Sequence, residues 1–287
     1  MQDKSWILVH ILLNHFHPKK IKEFLNILPP DDAKKILSHD VPFSDINPIF
    51  VNPREFFKNI HYSWIVPLIQ NLPSPIKELT ISALPVPLAS GLKKHLKIQN
   101  LNLTLPKRSS FFFLKNLYKQ IHPPQLLPPE FLPKEPLSIL LNFSRKDLMA
   151  LVDFLGLYDL AEEVKHLVDQ KSLRNVYACL DNKKMRFLRL CLHQRSKFKT
   201  PKLNLQKWNG NCDTLSQMLH QRGLYRLGKA LCGSHPDFLW HLSKKFDTGR
   251  SALLEKHYTK QESPGITSGL IQQVIYAINS LQHKDKM

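Results

Sequence analysis

Leu-Pro occurs at Leu72-Pro73 and again at Leu84-Pro85, inside the stretch IHYSWIVPLIQNLPSPIKELTISALPVPLASGLKKHL that begins at Ile60. Proline has no backbone N–H and its ring clashes with the preceding helical turn, so it cannot sit in a helix interior. At the first turn of a helix its missing donor does no harm. The two Leu-Pro steps therefore predict helices that stop and restart. Ile65, Leu68, Ile69 and Leu72 mark one apolar helical face. Ser74 is the expected N-cap of the next helix, with Pro75 in its first turn. A third helix follows Pro85. A row of short antiparallel helices is the grammar of an α-solenoid, or armadillo-like array.

The same punctuation runs through the rest of the chain. Pro18 is expected to open a second helix. Pro29-Pro30-Asp31-Asp32 opens a third, with acids at its positive end. Three prolines between Ser38 and Phe56 read as a linker. Leu105–Pro136 mixes one helix with a proline-rich connector. From Leu137 the helices lengthen, and Ser144 is placed to cap a helix before Asp147. Ser172–Leu188 echoes Gly223–Leu239, with Val176 over Leu227, Leu180 over Leu231 and Phe187 over Phe238, a period suited to paired-helix repeats. The fold class is all-α. The expected division is 1–50, an N-terminal helical segment; 51–136, a middle helical unit; 137–262, longer helical repeats; and 263–287, a tail helix.

Nine glycines and 21 prolines among 287 residues agree with helices joined by proline-started turns. A net charge of +18 points to an acidic partner: nucleic acid, an anionic membrane face or an acidic protein. Solubility alone is the plainer reading of the charge. The densest basic cluster, at His193–Lys202, reads as a linker. Four cysteines, Cys179, Cys191, Cys212 and Cys232, lie far apart without a C-x-x-C, so reduced thiols are expected, with Cys179, Cys191 and Cys232 in the core. Trp6–Leu13 is apolar but short, and reads as a buried helix rather than a signal peptide or membrane span. The expected compartment is the cytoplasm.

His10, His15 and His17 do not share one helical face, so no metal site is expected. Asp153, Asp159, Glu162 and Glu163 read as a solvated helix face. Phe111–Phe113 read as core, with an exposed hot spot as the alternative. Lys93-Lys94 and Lys183-Lys184 read as solvated faces that lipid headgroups could meet. No catalytic motif or phosphate loop stands out, so neither enzyme activity nor a cofactor is expected.

The Leu-Pro stretch resembles the middle domain of the flagellar motor switch protein FliG. That family reads E-H-P-Q, then two helices each ending in Leu-Pro. Here IHYSWIVPLIQNLP aligns without a gap: His61 matches the family histidine, while Ile60, Tyr62 and Ser63 stand where Glu, Pro and Gln are expected. The C-terminal part is similar to the family segment centred on A-L-K-G, here Ala230-Leu231-Cys232-Gly233, and Phe238, Leu242, Phe246, Leu253 and Leu254 keep the family spacing. The N-terminal Leu12–Leu37 echoes the pattern more weakly. Where the family carries stator-facing charges of both signs, this chain has Asn209–Gln217. There Asn211 and Cys212 replace acids and Asp213 replaces a base. Torque needs that charge pattern.

The resemblance implies a non-enzymatic structural adaptor, on a FliG-like scaffold, of the flagellum's relative, the type III secretion injectisome. The implied role is an accessory of the sorting platform, peripheral at the cytoplasmic side of the bacterial inner membrane. The lysine-rich, proline-punctuated style resembles that of chlamydia-type bacteria. Implied partners are inner-membrane ring and cytoplasmic platform subunits, with an anionic membrane surface as a further one and no nucleic acid. The implied partner-binding residues are His61, Tyr62 and Ser63, joined by Lys93 and Lys94. A basic all-α nucleic-acid-binding protein is the alternative.

Overall fold

A computed structural model describes residues 3–17, 19–38, 53–98, 103–123, 126–193, 203, 205, 208–263 and 265–282. The Pro18 helix start and most of the two linker readings, over 39–52 and 194–202, lie outside them. The described residues are helical and contain no strand, as the proline punctuation requires.

Three short helices come first: α1 (Asp3–Phe16), α2 (Ile21–Ile27) and α3 (Pro30–Leu37). They close over a small core of Trp6, Leu25 and Ile36. In α1, Trp6 and Ile11 are buried, while Leu12 is exposed. No helix among the described residues is long and apolar enough to cross a membrane.

Helices α4 (Pro53–Asn59), α5 (Val66–Ile69), α6 (Ser74–Ala83), α7 (Val86–Leu96) and α8 (Lys107–Ile121) form the middle group. Their shared core includes Phe57, Ile65, Ile69, Ile81, Leu92 and Leu114. The Leu-Pro steps fall between helices. Pro73 is the N-cap of α6 and Pro85 the N-cap of α7, each with a further proline in the first turn. The expected cap at Ser74 lies one residue off. Ser74 is instead the first helical residue and donates its hydroxyl to Glu78 at 2.9 Å. The helix through Ile65 and Leu72 is also shorter than expected, because a 3-10 turn, Tyr62–Trp64, precedes the single turn of α5.

The remaining helices are α9 (Arg145–Lys165), α10 (Gln170–Ala178), α11 (Asn182–Leu192), α12 (Cys212–Ala230), α13 (Pro236–Lys245), α14 (Thr248–His257) and α15 (Ile266–Gln282). They share the largest core, from Leu137 to Ile278, which includes the α15 residues Leu270, Val274 and Ala277. Ser144 caps α9 as expected, accepting from the Asp147 N–H at 3.2 Å. The echoed positions Val176 and Leu227, and Phe187 and Phe238, are all buried in this core. Val176 and Phe187 lie on the consecutive helices α10 and α11, and Leu227 and Phe238 on the consecutive helices α12 and α13.

Helix α9 is the axis of this group. Residues 154–161 of it are all buried, so no side of the helix faces water there. It crosses α12 at two glycines. A Cβ on Gly156 would stand 2.1 Å from the Leu219 carbonyl oxygen, and one on Gly223 would stand 1.7 Å from that of Val152. Only backbones without side chains fit this closely.

Two of the cysteines correct the thiol expectation. Cys179 and Cys212 form a disulfide that joins the end of α10 to the start of α12. Cys191 and Cys232 are free and buried, as expected of core cysteines.

The glycine crossing sets a sharp contrast in mutational cost. Gly223→Ala drives a methyl into backbone and is expected to destabilise by about 3 kcal/mol or more. Gly269→Ala, on an open face of α15 with nothing within 4 Å of the new Cβ, is expected to stabilise by about 0.5–1 kcal/mol. Urea unfolding of the two variants beside the parent chain measures both.

Candidate functional site

The corner at Ile60–Ser63 is built from the residues that the FliG-like motif singles out. His61 is the N-cap of the 3-10 turn. Its Nδ1 accepts from the Ser63 N–H at 3.2 Å and lies 2.8 Å from Ser63 Oγ. Ser63 Oγ in turn accepts from the Thr248 N–H at 3.0 Å, so its own proton is free to point at His61. With two donors on Nδ1, the neutral ring carries its proton on Nε2. Burial, with Arg145 nearby, pushes the His61 pKa down to about 4.

The corner is closed by the chain itself. His61 is 4% exposed. Its backbone N–H donates to the Lys244 carbonyl at 2.9 Å, and the Trp64 indole N–H donates to the Phe246 carbonyl at 2.9 Å. Lys244 Nζ sits 3.2 Å from the centre of the Trp64 ring and 5.2 Å from that of Trp240. Burial lowers the Lys244 pKa. The cation is held by aromatic faces in place of water.

The same helix, α13, is gripped further along. Phe56 stacks on Trp240 at 6.1 Å, and His122 meets that indole edge-on. Leu127 donates its N–H to Asp237 at 3.0 Å, and its carbonyl lies 2.8 Å from His241 Nε2. Lys245 donates to the carbonyls of Leu141 and Phe143. Residues from 56 to 143 thus clasp α13 along its length. A helix with so many of its polar groups answered by one partner surface is a joint.

Tyr62 and the two lysines lie beside this joint. The Tyr62 ring rests on α7 at Gly91, where an added Cβ would come within 2.6 Å of it, and its centre is 6.0 Å from that of His95. Lys93 and Lys94 occupy the last turn of α7, where cations complement the helix dipole. Lys94 is exposed and Lys93 half-buried. The structure therefore brings His61, Ser63 and Tyr62 together, with His61 and Ser63 facing the chain's own α13–α14 turn. Trp64, Lys244 and Trp240 complete the corner. Sequence reasoning passed over them, since no local pattern links Trp64 to a carbonyl 182 residues away.

Two charged networks correct the solvated-face reading of α9. Asp159 is buried and receives Arg226 Nε at 3.0 Å. Arg226 also donates to Gln273 at 2.6 Å and lies 5.5 Å from the Tyr158 ring centre. Asp153 is half-buried, with Lys184 at 2.9 Å and His220 Nδ1 at 2.7 Å. Burial pushes the Asp153 carboxyl up, but the hydrogen bonds from His220 and Lys184 outweigh it and leave the pKa lowered. Arg250 extends this chain, donating from Nε to His220 Nε2 at 2.8 Å and pairing with Asp247. Glu162 keeps its exposed partner Lys165, and Glu163 accepts from the Leu203 N–H. The Asp159 and Asp153 networks tie α9 to α11, α12, α14 and α15, whereas the Glu162–Lys165 pair stays within α9.

Among the described residues, no group of three or more His, Cys, Asp or Glu is placed to hold a metal ion. The His15 side chain lies outside the described residues, and His17 is exposed beside Phe24. Phe111 and Phe112 correct the core reading, being 40% and 61% exposed, while Phe113 is partly buried. No family model, curated protein or solved structure matches this chain.

The depressed His61 pKa has a defined consequence for stability. The unfolded histidine titrates near 6.5. Between pH 6.5 and about 4 the unfolded chain binds a proton at His61 that the folded chain refuses. Stability is therefore full above pH 6.5, falls through that window, and falls no further below it on this account. His61→Asn keeps an acceptor for the Ser63 N–H without titrating. It is expected to remove on the order of 1–3 kcal/mol of this acid sensitivity. His122 and His257, also lowered by burial, leave a remainder. Urea midpoints at pH 7 and pH 4.5 for both proteins read the difference.

Proposed function

We propose that this chain is a non-enzymatic structural adaptor of a type III secretion apparatus, built on a FliG-like helical scaffold. It is peripheral at the cytoplasmic side of the inner membrane and joins ring and platform subunits. The observation that carries the reading is the joint at α13. The two segments that resemble FliG, around His61 and from Ala230 to Leu254, are distant in sequence, yet they meet directly through His61–Lys244, Ser63–Thr248 and Trp64–Phe246. Such a joint suits a scaffold that must hold a fixed shape between two partners.

The reading also treats the Asn209–Gln217 segment as passive. Asn211 caps α12, accepting from the N–H groups of Asp213 and Thr214, and Asp213 sits exposed in the first turn, where an acid complements the helix dipole. A single exposed carboxylate contributes under about 1 kcal/mol to a contact, too little for repeated stepping against a stator. A cytoplasmic setting keeps thiols reduced. The proposal therefore implies that Cys179 and Cys212 are thiols while the apparatus works, with α10 held in the shared core through Val176.

Effector secretion by the native host tests the proposal. Loss of the chain is expected to abolish secretion, and a tagged chain is expected to carry ring and platform subunits through cross-linking and purification. Asp213→Ala is expected to leave both near normal. Leu231→Asp, which places a charge in the core beneath α12, is expected to abolish both by unfolding that group of helices. Normal secretion by a strain lacking the chain overturns the proposal. A folded Asp213→Ala protein that assembles but blocks secretion overturns the passive segment.

A further inference from the structure

Helix α8 carries a face that the fold leaves open. Its inner side, Ser110, Leu114 and Leu117, is buried, and Ser110 Oγ donates to the Ala83 carbonyl at 3.2 Å. At about 100° per residue, Phe111, Lys115, Arg108, Lys119 and Phe112 follow one another around an arc of about 100° on the outer side. The core-packed Tyr118 borders this arc, and Lys107 lies beyond it in the first turn. Phe112 and Phe111 are among the exposed large hydrophobic residues of the chain, at 61% and 40%. Lys107, Arg108 and Lys119 are exposed, and among the described residues none of the three has an acidic partner. The sequence contains no Asp or Glu between Glu78 and Glu130, so the positive field over α7 and α8 is not cancelled locally.

Phenyl rings flanked by cations on one helix face match the interface of an anionic bilayer. The rings reach the acyl boundary while the cations meet the headgroup phosphates. A nucleic acid strand would need a groove that follows its backbone. These rings stand on the convex outer side of a helix, where a flat interface reaches both at once. We infer that α8 lays this face on an anionic lipid surface, with Phe111 and Phe112 inserted and Lys107, Arg108 and Lys119 on the phosphates. The inference deepens the peripheral-adaptor reading by naming its membrane contact, and its test does not pass through secretion.

The test uses the purified full chain and vesicles of phosphatidylcholine with about one third phosphatidylglycerol, compared with phosphatidylcholine alone. Co-sedimentation is expected with the anionic vesicles and is expected to weaken steeply with salt. Lys107→Gln/Arg108→Gln/Lys119→Gln is expected to weaken binding about a hundredfold, at roughly a tenfold loss for every one to two cations removed. Phe111→Ala/Phe112→Ala is expected to weaken it tenfold or more and to leave binding that salt alone abolishes. All five positions are exposed, so thermal melting is expected to match the parent. Equal binding by parent and Phe variant overturns the inference, because charge alone would then suffice. So does absence of binding to the anionic vesicles. Tighter binding to a single-stranded oligonucleotide than to vesicles, lost in the same variants, overturns it in favour of nucleic acid. Lost vesicle binding with intact secretion would sink this inference and spare the adaptor. Retained vesicle binding in a chain dispensable for secretion would do the reverse.

Discussion

The crossing of α9 and α12 is the constraint on which the largest part of the structure depends. Two backbones touch at Gly156 and Gly223 without side chains between them. That closeness goes with burial of residues 154–161 of α9 on every side, and Asp159 and Arg226 are enclosed in the same interior. A charge pair removed from water is stable only when its remaining groups are satisfied. Gln273, from α15, supplies one of those bonds to Arg226. The last helix is thus tied into the core by a polar contact as well as by Leu270 and Val274. Loosening the crossing would strand a buried carboxylate and guanidinium together.

The joint at α13 works by a different economy. It uses single hydrogen bonds from backbone and indole N–H groups, stacked rings, and two lysines whose charges are answered by aromatic faces and by carbonyls. Each contact is modest, but they fall along one short helix and fix its direction. Burial in the same arrangement holds the His61 ring neutral, which leaves its Nδ1 able to accept from the Ser63 N–H.

Much of the helical layout was legible in the sequence, because proline acts locally. Pro73 and Pro85 end and begin helices wherever the rest of the chain lies. The Ser144 cap was legible for the same reason, since its bond spans only three residues. The site was less so. Asp159 read as a surface acid because periodicity assigns charge to a wet face, and a helix buried all round has none. Trp64 and Lys244 found one another through tertiary packing, which leaves no spacing to read. Phe111 and Phe112 read as core since their apolar neighbours are, yet α8 turns those two outward. The Cys179–Cys212 bond has no short-range signature either, its ends being 33 positions apart in sequence.

That bond makes a ring of the chain from residue 179 to residue 212. The helix α11 and the basic stretch at 194–202, whose sequence holds Arg195, Lys197 and Lys199, lie inside the ring. A cut within it severs the backbone but not the molecule, so the two sides stay one covalent piece until the sulfurs part. Whether the chain behaves as one strand or as two held fragments is then decided by the redox state of its surroundings rather than by its peptide bonds.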